Sequence, residues 1–321
     1  MISTTGRYRR LTTLSTTENV FTILAIDHRD SMRVVLSPED PAGVPTADIV
    51  DLKLDLLQGV GPSASGVMLD PEYGIAPAIH SGILPSQIGF IAALEQQGYL
   101  GDPSIEMTSL LPDWGVTKAA RSGASGLKLL VLYHPDGGDI TDRQDELIRT
   151  VIADARAADV PLFLEPLPYS PPGSAPVDSK EFPRFEVTIA TARRLSAFGP
   201  DILKVQFPVN PIHVADVSRW RDACDELTAV CEVPWALLSG GGDFETFRSQ
   251  FTVAAEHGAS GFMVGRALWS EAVDREARGD VINRLVAPRF TELAVIARSA
   301  ARPWSKVIDP PETPPDWHQT Y

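Results

Sequence analysis

Apolar positions fall into short runs that alternate with longer amphipathic stretches. The runs are FTILAID (21–27), GVMLD (66–70), IGFIAAL (88–94), GLKLLVLY (126–133), PLFLEPL (161–167), DILKVQF (201–207), PWALLSG (234–240) and GFMVGRA (261–267). They read as strands, although the third is the weakest and also fits a helix. Between most of them lie segments with helical spacing, such as DRQDELIRTVIADARAA and FETFRSQFTVAAEHGA. Eight β-then-α units imply parallel strands with crossover helices. The expected architecture is a (β/α)8 TIM barrel, a single domain over residues 1–321. A doubly wound open sheet would need a Gly-rich phosphate turn after the first strand, and AIDHRDS has none.

Two segments fall outside this alternation. PYSPPGSAPVDSKEFPRF, after the fifth run, is a long βα loop rich in Pro and Ser. Such a loop lies over the active face of a barrel, as a lid or as a plain surface insertion. DPPETPPDWHQTY (309–321) reads as an extended tail, with Trp317 as the residue to dock it.

Polar residues interrupt the apolar runs in a pattern. In DILKVQF, strand alternation puts Ile202, Lys204 and Gln206 on one face and Leu203, Val205 and Phe207 on the other. Lys128 interrupts the fourth run and Glu165 the fifth. Asp27, Asp70, Ser239 and Arg266 fall at the C-terminal ends of the first, second, seventh and eighth runs. Barrel enzymes build their sites at that face, from the ends of several strands. One buried charge is usually a satisfied pair; this many on one face points to a site.

These residue types suggest a chemistry. A lysine in a low-dielectric barrel beside another cation loses its proton more readily and becomes a nucleophile toward a carbonyl. The resulting iminium draws electrons from an adjacent carbon–carbon bond. A carboxylate must move protons as the adduct forms and dehydrates, work that Glu165 and Asp27 can share. The bland alternative is a pair of salt bridges, Lys204–Glu165 and Lys128–Asp27, which would add little net stability. LLSGGGDFETF is a strand, a Gly-rich turn (Gly240, Gly241, Gly242) and a helix start. GFMVGRALW repeats the scheme with Gly265 and Arg266. Turn amides with an arginine make an anion site, and barrels commonly hold phosphate after strands seven and eight.

Composition narrows the partners. The net charge is −14, which argues against nucleic acid or an anionic membrane as partner. Two cysteines are too few for a disulfide framework and fit a cytoplasmic protein. The first residues lack the apolar core of a signal peptide, and no apolar run is long enough to span a bilayer.

The motifs LAIDHRDSM, MLDPEYG, GLKLLVLYHPDGGD, FLEPLPY, DILKVQFPVN, LLSGGGDFETF, GRALWSEAV and ARPWSKV together resemble the tagatose-1,6-bisphosphate aldolase family of class I aldolases. The likeness covers almost the whole chain. It implies a TIM barrel that cleaves a phosphorylated ketose through a lysine Schiff base, with no cofactor. It makes Lys204 the Schiff-base lysine and Glu165 the acid/base, with Lys128 and Asp27 assisting. Ser239 and Arg266 would hold the dihydroxyacetone-phosphate end. Three positions depart from the family pattern: His28 stands for a glutamine, Gln206 for an acidic residue, and SGGG for SAG. These leave the core chemistry intact and bear on which sugar is used.

A relative in the same superfamily cleaves 6-deoxy-6-sulfofructose 1-phosphate, and that substrate is the alternative. Arg29 and His134, with Arg33, are the candidates for an anion site at the far end of the sugar. A metal-dependent aldolase or isomerase would need His28, His134 and Asp70 to gather, yet the six histidines show no HxxxH or HxH spacing. A barrel that binds a sugar phosphate without turnover is the non-enzymatic alternative. A homo-oligomer is compatible with the sequence, which does not set the state.

Overall fold

The computed structural model describes residues 4–96 and 107–319. Its centre is a closed barrel of eight parallel strands in sequence order. The strands are β1 (Phe21–Ala25), β2 (Gly66–Leu69), β3 (Gly89–Ala93), β4 (Gly126–Tyr133), β5 (Leu162–Pro168), β6 (Ile202–Val205), β7 (Trp235–Leu238) and β8 (Gly261–Val264). The weak third run is therefore a strand. β1 pairs with both β2 and β8, so no edge is left open.

Helices alternate with the strands. They are α1 (Thr5–Thr13), α2 (Asp30–Leu36), α3 (Thr46–Val60), α4 (Ile75–His80), α5 (Val116–Arg121), α6 (Asp139–Ala157), α7 (Arg184–Ser196), α8 (Val217–Val230), α9 (Phe244–Glu256) and α10 (Arg266–Trp269). Two more, α11 (Arg278–Val281) and α12 (Ala287–Ala300), are separated by a π turn. The two segments singled out for their helical spacing form α6 and α9. No helix among the described residues is long and apolar enough to cross a membrane.

Strand alternation divides the apolar side chains into two layers. Leu24, Val67, Leu129, Leu164, Leu203, Leu237 and Phe262 face outward into the shell of helices. Phe21, Ile23, Met68, Ile91, Phe163, Ile202, Ala236 and Met263 fill the barrel. Phe21 and Phe163 meet edge to face, with ring centroids 5.5 Å apart. The barrel is thus dry in its lower part, and only its C-terminal mouth is polar.

The opposite end is closed by a floor that the sequence pattern did not announce. Leu11 and Leu14 from the N-terminal segment join Trp304 and Ile308 from the C-terminal one, under the barrel's own side chains. Tyr8 packs on Trp304 at 5.0 Å, and the Trp304 amide donates to the Asn19 carbonyl at 2.9 Å. Arg7 pairs with the buried Asp201, whose other oxygen accepts the Leu162 amide.

The strands end earlier than the apolar runs. Asp27, Asp70 and Ser239 lie just past β1, β2 and β7, and Arg266 opens α10 instead of closing β8. The runs extend past the strand ends because Ile26, Asp27 and Asp70 are still buried there, while Ser239 and Arg266 are half-buried at the mouth. The 309–321 tail carries a single 3-10 turn at Trp317–Gln319 among its described residues, and Trp317 remains 37% exposed.

Candidate active site

A cleft of about 450 Å³ opens at the C-terminal mouth. Lys128, Glu165, Lys204, Asp27, His28, Ser239, Gly240, Gly241, Gly242, Gly265 and Arg266 all line it. Alternation places the central three: Lys128 on β4, Glu165 on β5 and Lys204 on β6 follow the inward-facing Phe163 and Ile202 toward the mouth.

The two lysines differ in their surroundings. Lys128 Nζ lies 2.9 Å from Asp27, 2.5 Å from Glu95 and 3.3 Å from Glu165. It is an ammonium held by three carboxylates. Lys204 Nζ has one carboxylate within ion-pair distance among the described residues, Glu165 at 2.8 Å, and the Met68 sulfur at 3.8 Å. Glu165 Oε2 sits between both amines without an aligned hydrogen bond, so it can still exchange a proton with a bound molecule.

Burial would raise the Asp27 carboxyl, but Lys128 and Lys204 outweigh it and hold it below the usual carboxylate range. Asp27 is therefore a fixed anion that anchors Lys128, and proton transfer falls more naturally to Glu165.

His28 contacts the edge of Trp269 at 5.2 Å, and its Nδ1 is 4.0 Å from Asp27. Burial pushes its imidazole down to about 3; Asp27 opposes the shift, while Arg266 and Lys204 add to it. An unfolded histidine binds its proton near pH 6.5, whereas this one stays neutral. Its contribution to stability is complete above pH 6.5 and is lost as pH falls toward 3. Between pH 7 and pH 5 the loss is at most about 2 kcal/mol, and solvent screens part of it because the ring side chain keeps 19% exposure. His28→Gln is accordingly expected to lessen the drop in Tm between pH 7 and pH 5, measured by calorimetry. An unchanged drop would mean that the folded ring takes up its proton normally.

The anion end is built by the turns after β7 and β8. Gly241 has φ +80°, and a Cβ there would come within 2.9 Å of the Arg266 guanidinium. Glycine is thus what lets the turn and the guanidinium lie together. At Gly265 a Cβ would reach the His28 ring at 2.8 Å. Ser239 Oγ accepts the Gly265 amide at 3.1 Å, which joins the two turns and leaves its hydroxyl hydrogen for a ligand. Asp243 caps α9 by accepting the Thr246 amide, so an anion would meet the turn rather than the helix end.

Two expectations for the far end do not hold. Arg29 is buried away from the cleft, donating to Glu72 at 2.9 Å and to the Glu95 carbonyl at 2.7 Å. Its short spacing from Asp27 hid the fact that its side chain turns toward β3. His134 is also outside the cleft lining; its Nδ1 accepts the Asp136 amide and its ring packs among Tyr169 and Phe182. Nor do His28, His134 and Asp70 gather, since Asp70 is bound to Lys53. Among the described residues no three His, Cys, Asp or Glu side chains form a metal cage.

Two residues were missed. Glu95, directly after β3, holds Lys128 and accepts the Leu130 amide. The weak third run concealed it as a strand-end carboxylate. Arg184 lines the cleft from the start of α7, and nothing in its Pro- and Ser-rich context marked it.

A profile of the DeoC/LacD family aldolases matches residues 21–271. Tagatose 1,6-diphosphate aldolase 2 of Streptococcus mutans is 27% identical over 96% of this chain and 99% of its own. Tagatose 1,6-diphosphate aldolase 1 of Streptococcus pyogenes serotype M3 is 26% identical over 91% of this chain and 95% of its own. Among solved structures, an archaeal fructose-1,6-bisphosphate aldolase with its catalytic Lys bound to a carbinolamine superposes with a TM-score of 0.62. It is 19% identical, covering 91% of this chain and 100% of the other. That last likeness is one of fold.

Proposed function

Because the chain belongs to the DeoC/LacD family of aldolases, we propose that it reversibly cleaves a phosphorylated ketohexose through a Schiff base on Lys204, releasing dihydroxyacetone phosphate and a three-carbon aldehyde. The observation that carries the reading is the inequality of the two lysines. Lys128 is enclosed by three carboxylates, while Lys204 faces the cleft with Glu165 beside it. The curated relatives bear tagatose bisphosphate names, which supports a ketose bisphosphate as the substrate class.

The steps follow from the geometry. Lys204 passes its ammonium proton to Glu165, 2.8 Å away, and the freed amine adds to C2; the N–C2 bond forms, the C=O π pair moves to oxygen, and a proton from the nitrogen passes to that oxygen. Glu165, protonated, gives a proton to that hydroxyl, which leaves as water and yields the iminium. A base, for which Glu165 as carboxylate is best placed, then takes the proton of the C4 hydroxyl. The C3–C4 electrons move into the iminium, the C4 carbonyl forms and the aldehyde leaves. Protonation of the enamine at C3 and hydrolysis of the iminium return Lys204 and dihydroxyacetone phosphate. Lys128 keeps a positive charge beside the reacting oxygens, and the Ser239–Gly242 turn with Arg266 holds the C1 phosphate.

The free Cys224 and Cys231, whose thiols burial pushes up to about 12, support a reducing, cytoplasmic setting. The test is borohydride reduction in the presence of dihydroxyacetone phosphate, followed by peptide mass mapping. The expected result is one adduct, on Lys204, with loss of activity, while a chelator leaves activity intact. An adduct on another lysine, or full loss of activity with the chelator, would overturn the assignment.

A further inference from the structure

We propose that Arg184, with Gln206 as its neutral neighbour, recognises an anionic group on the far carbon of the ketose, a phosphate or a sulfonate. This rests on the reading that Lys204 binds the ketose at C2.

Topology sets the direction. The strands run β5, β6, β7, β8 around the barrel. Arg184 follows β5, Lys204 lies on β6, and the Ser239–Gly242 turn and Arg266 follow β7 and β8. A ketose joined to Lys204, with its C1 phosphate on the last two turns, extends its remaining carbons toward the β5 side. Among the described residues, the cation lining the cleft on that side is Arg184.

The charge of Arg184 is still available. Two buried cations elsewhere in the fold have buried carboxylates: Lys53 has Asp70 and Arg7 has Asp201. The Arg184 side chain is only 18% exposed, yet its carboxylate partner is Asp178 at 3.2 Å, whose side chain is 94% exposed. Such a pair is worth little. Arg184 Nε is buried with no hydrogen-bond partner, and one Nη donates to the uncharged Gln206 Oε1 at 3.2 Å. Gln206 is fixed in that orientation because its Nε2 donates to Thr188 at 3.3 Å. A carboxylate at position 206 would neutralise the guanidinium; the amide orients it and leaves its charge. A planar fork of N–H donors suits the oxygens of a phosphate or sulfonate.

The experiment compares kcat/KM on fructose 1-phosphate, fructose 1,6-bisphosphate, tagatose 1,6-bisphosphate and 6-deoxy-6-sulfofructose 1-phosphate. The quantity read is the ratio of the best doubly charged ketose to fructose 1-phosphate. Arg184→Ala is expected to lower that ratio by about 100-fold, the scale of removing one partner of a desolvated charge pair. Gln206→Glu keeps the guanidinium but cancels its charge, and is expected to lower the ratio roughly tenfold. Should the first variant fail to fold, the second decides. A wild-type ratio near one, or a ratio unmoved by Gln206→Glu, would overturn the proposal. If the wild type cleaves none of the four ketoses and borohydride traps nothing on Lys204, the aldolase reading beneath it has failed instead. Preference for the sulfonate or for a bisphosphate identifies which anion Arg184 reads.

Discussion

Lys204→Met is expected to lower kcat by roughly 10⁴-fold or more, the scale of deleting a covalent nucleophile, while the barrel stays folded. Methionine has nearly the same reach and no amine. It would sit against Met68, which already lies 3.8 Å from Lys204 Nζ, so the vacated space is filled by an apolar chain with one apolar neighbour to pack on. The danger in such a change is the carboxylate left behind, because stripping a buried ion of its partner usually costs about 3–5 kcal/mol. Here Glu165 keeps Lys128 at 3.3 Å, so the loss is smaller. The measurement is single-turnover cleavage together with a melting curve. Residual turnover within a hundredfold of wild type would show that the amine is not the nucleophile. A collapsed melting curve would show that Lys204 is first a structural cation.

Glu165→Gln is expected to slow kcat by roughly 100-fold or more, the usual scale of a general acid/base, with little change in KM. The amide keeps the shape of the side chain and its position between the two amines but can neither give nor accept the proton that dehydration requires. Asp27 is a poor replacement, since its carboxyl is held ionised by Lys128 and Lys204 against the effect of burial. The signature is a split: the borohydride-trappable adduct accumulates more slowly, while inorganic phosphate competes for the C1 site as before. Near-normal turnover in this variant would return the proton work to Asp27 or to water.

Much of this was legible in the chain. The eight apolar runs gave the barrel because parallel strands are buried on both faces and need no alternating pattern to stand out. Lys128, Glu165 and Lys204 stand out in the sequence because a charge inside such a run has few innocent explanations, and the structure brings the three together in one cleft. The failures at Arg29 and Arg184 share a cause. Side chains that reach across the mouth are set by loop geometry, which periodicity does not encode. Arg29 sits two residues from Asp27 yet turns to Glu72 and Glu95, and Arg184 reaches the cleft from a segment that reads as surface. Glu95 was missed because its strand ends in two alanines, a weak β signal.

The floor of the barrel has a consequence for biosynthesis. Its parts, Leu11 and Leu14 on one side and Trp304 and Ile308 on the other, are separated in the chain by all eight strands, so the first pair waits for the second until every strand has been made. β1 likewise has no β8 to pair with until most of the chain has been made. A nascent chain therefore carries an open sheet with an unpaired edge strand that is apolar at every position but Thr22, the kind of surface that templates aggregation. Closure also carries the entropy of the longest loop in the molecule. The net charge of −14 sets neighbouring nascent chains against one another during that interval, so the acidity of the chain serves the unfinished barrel as a guard against association.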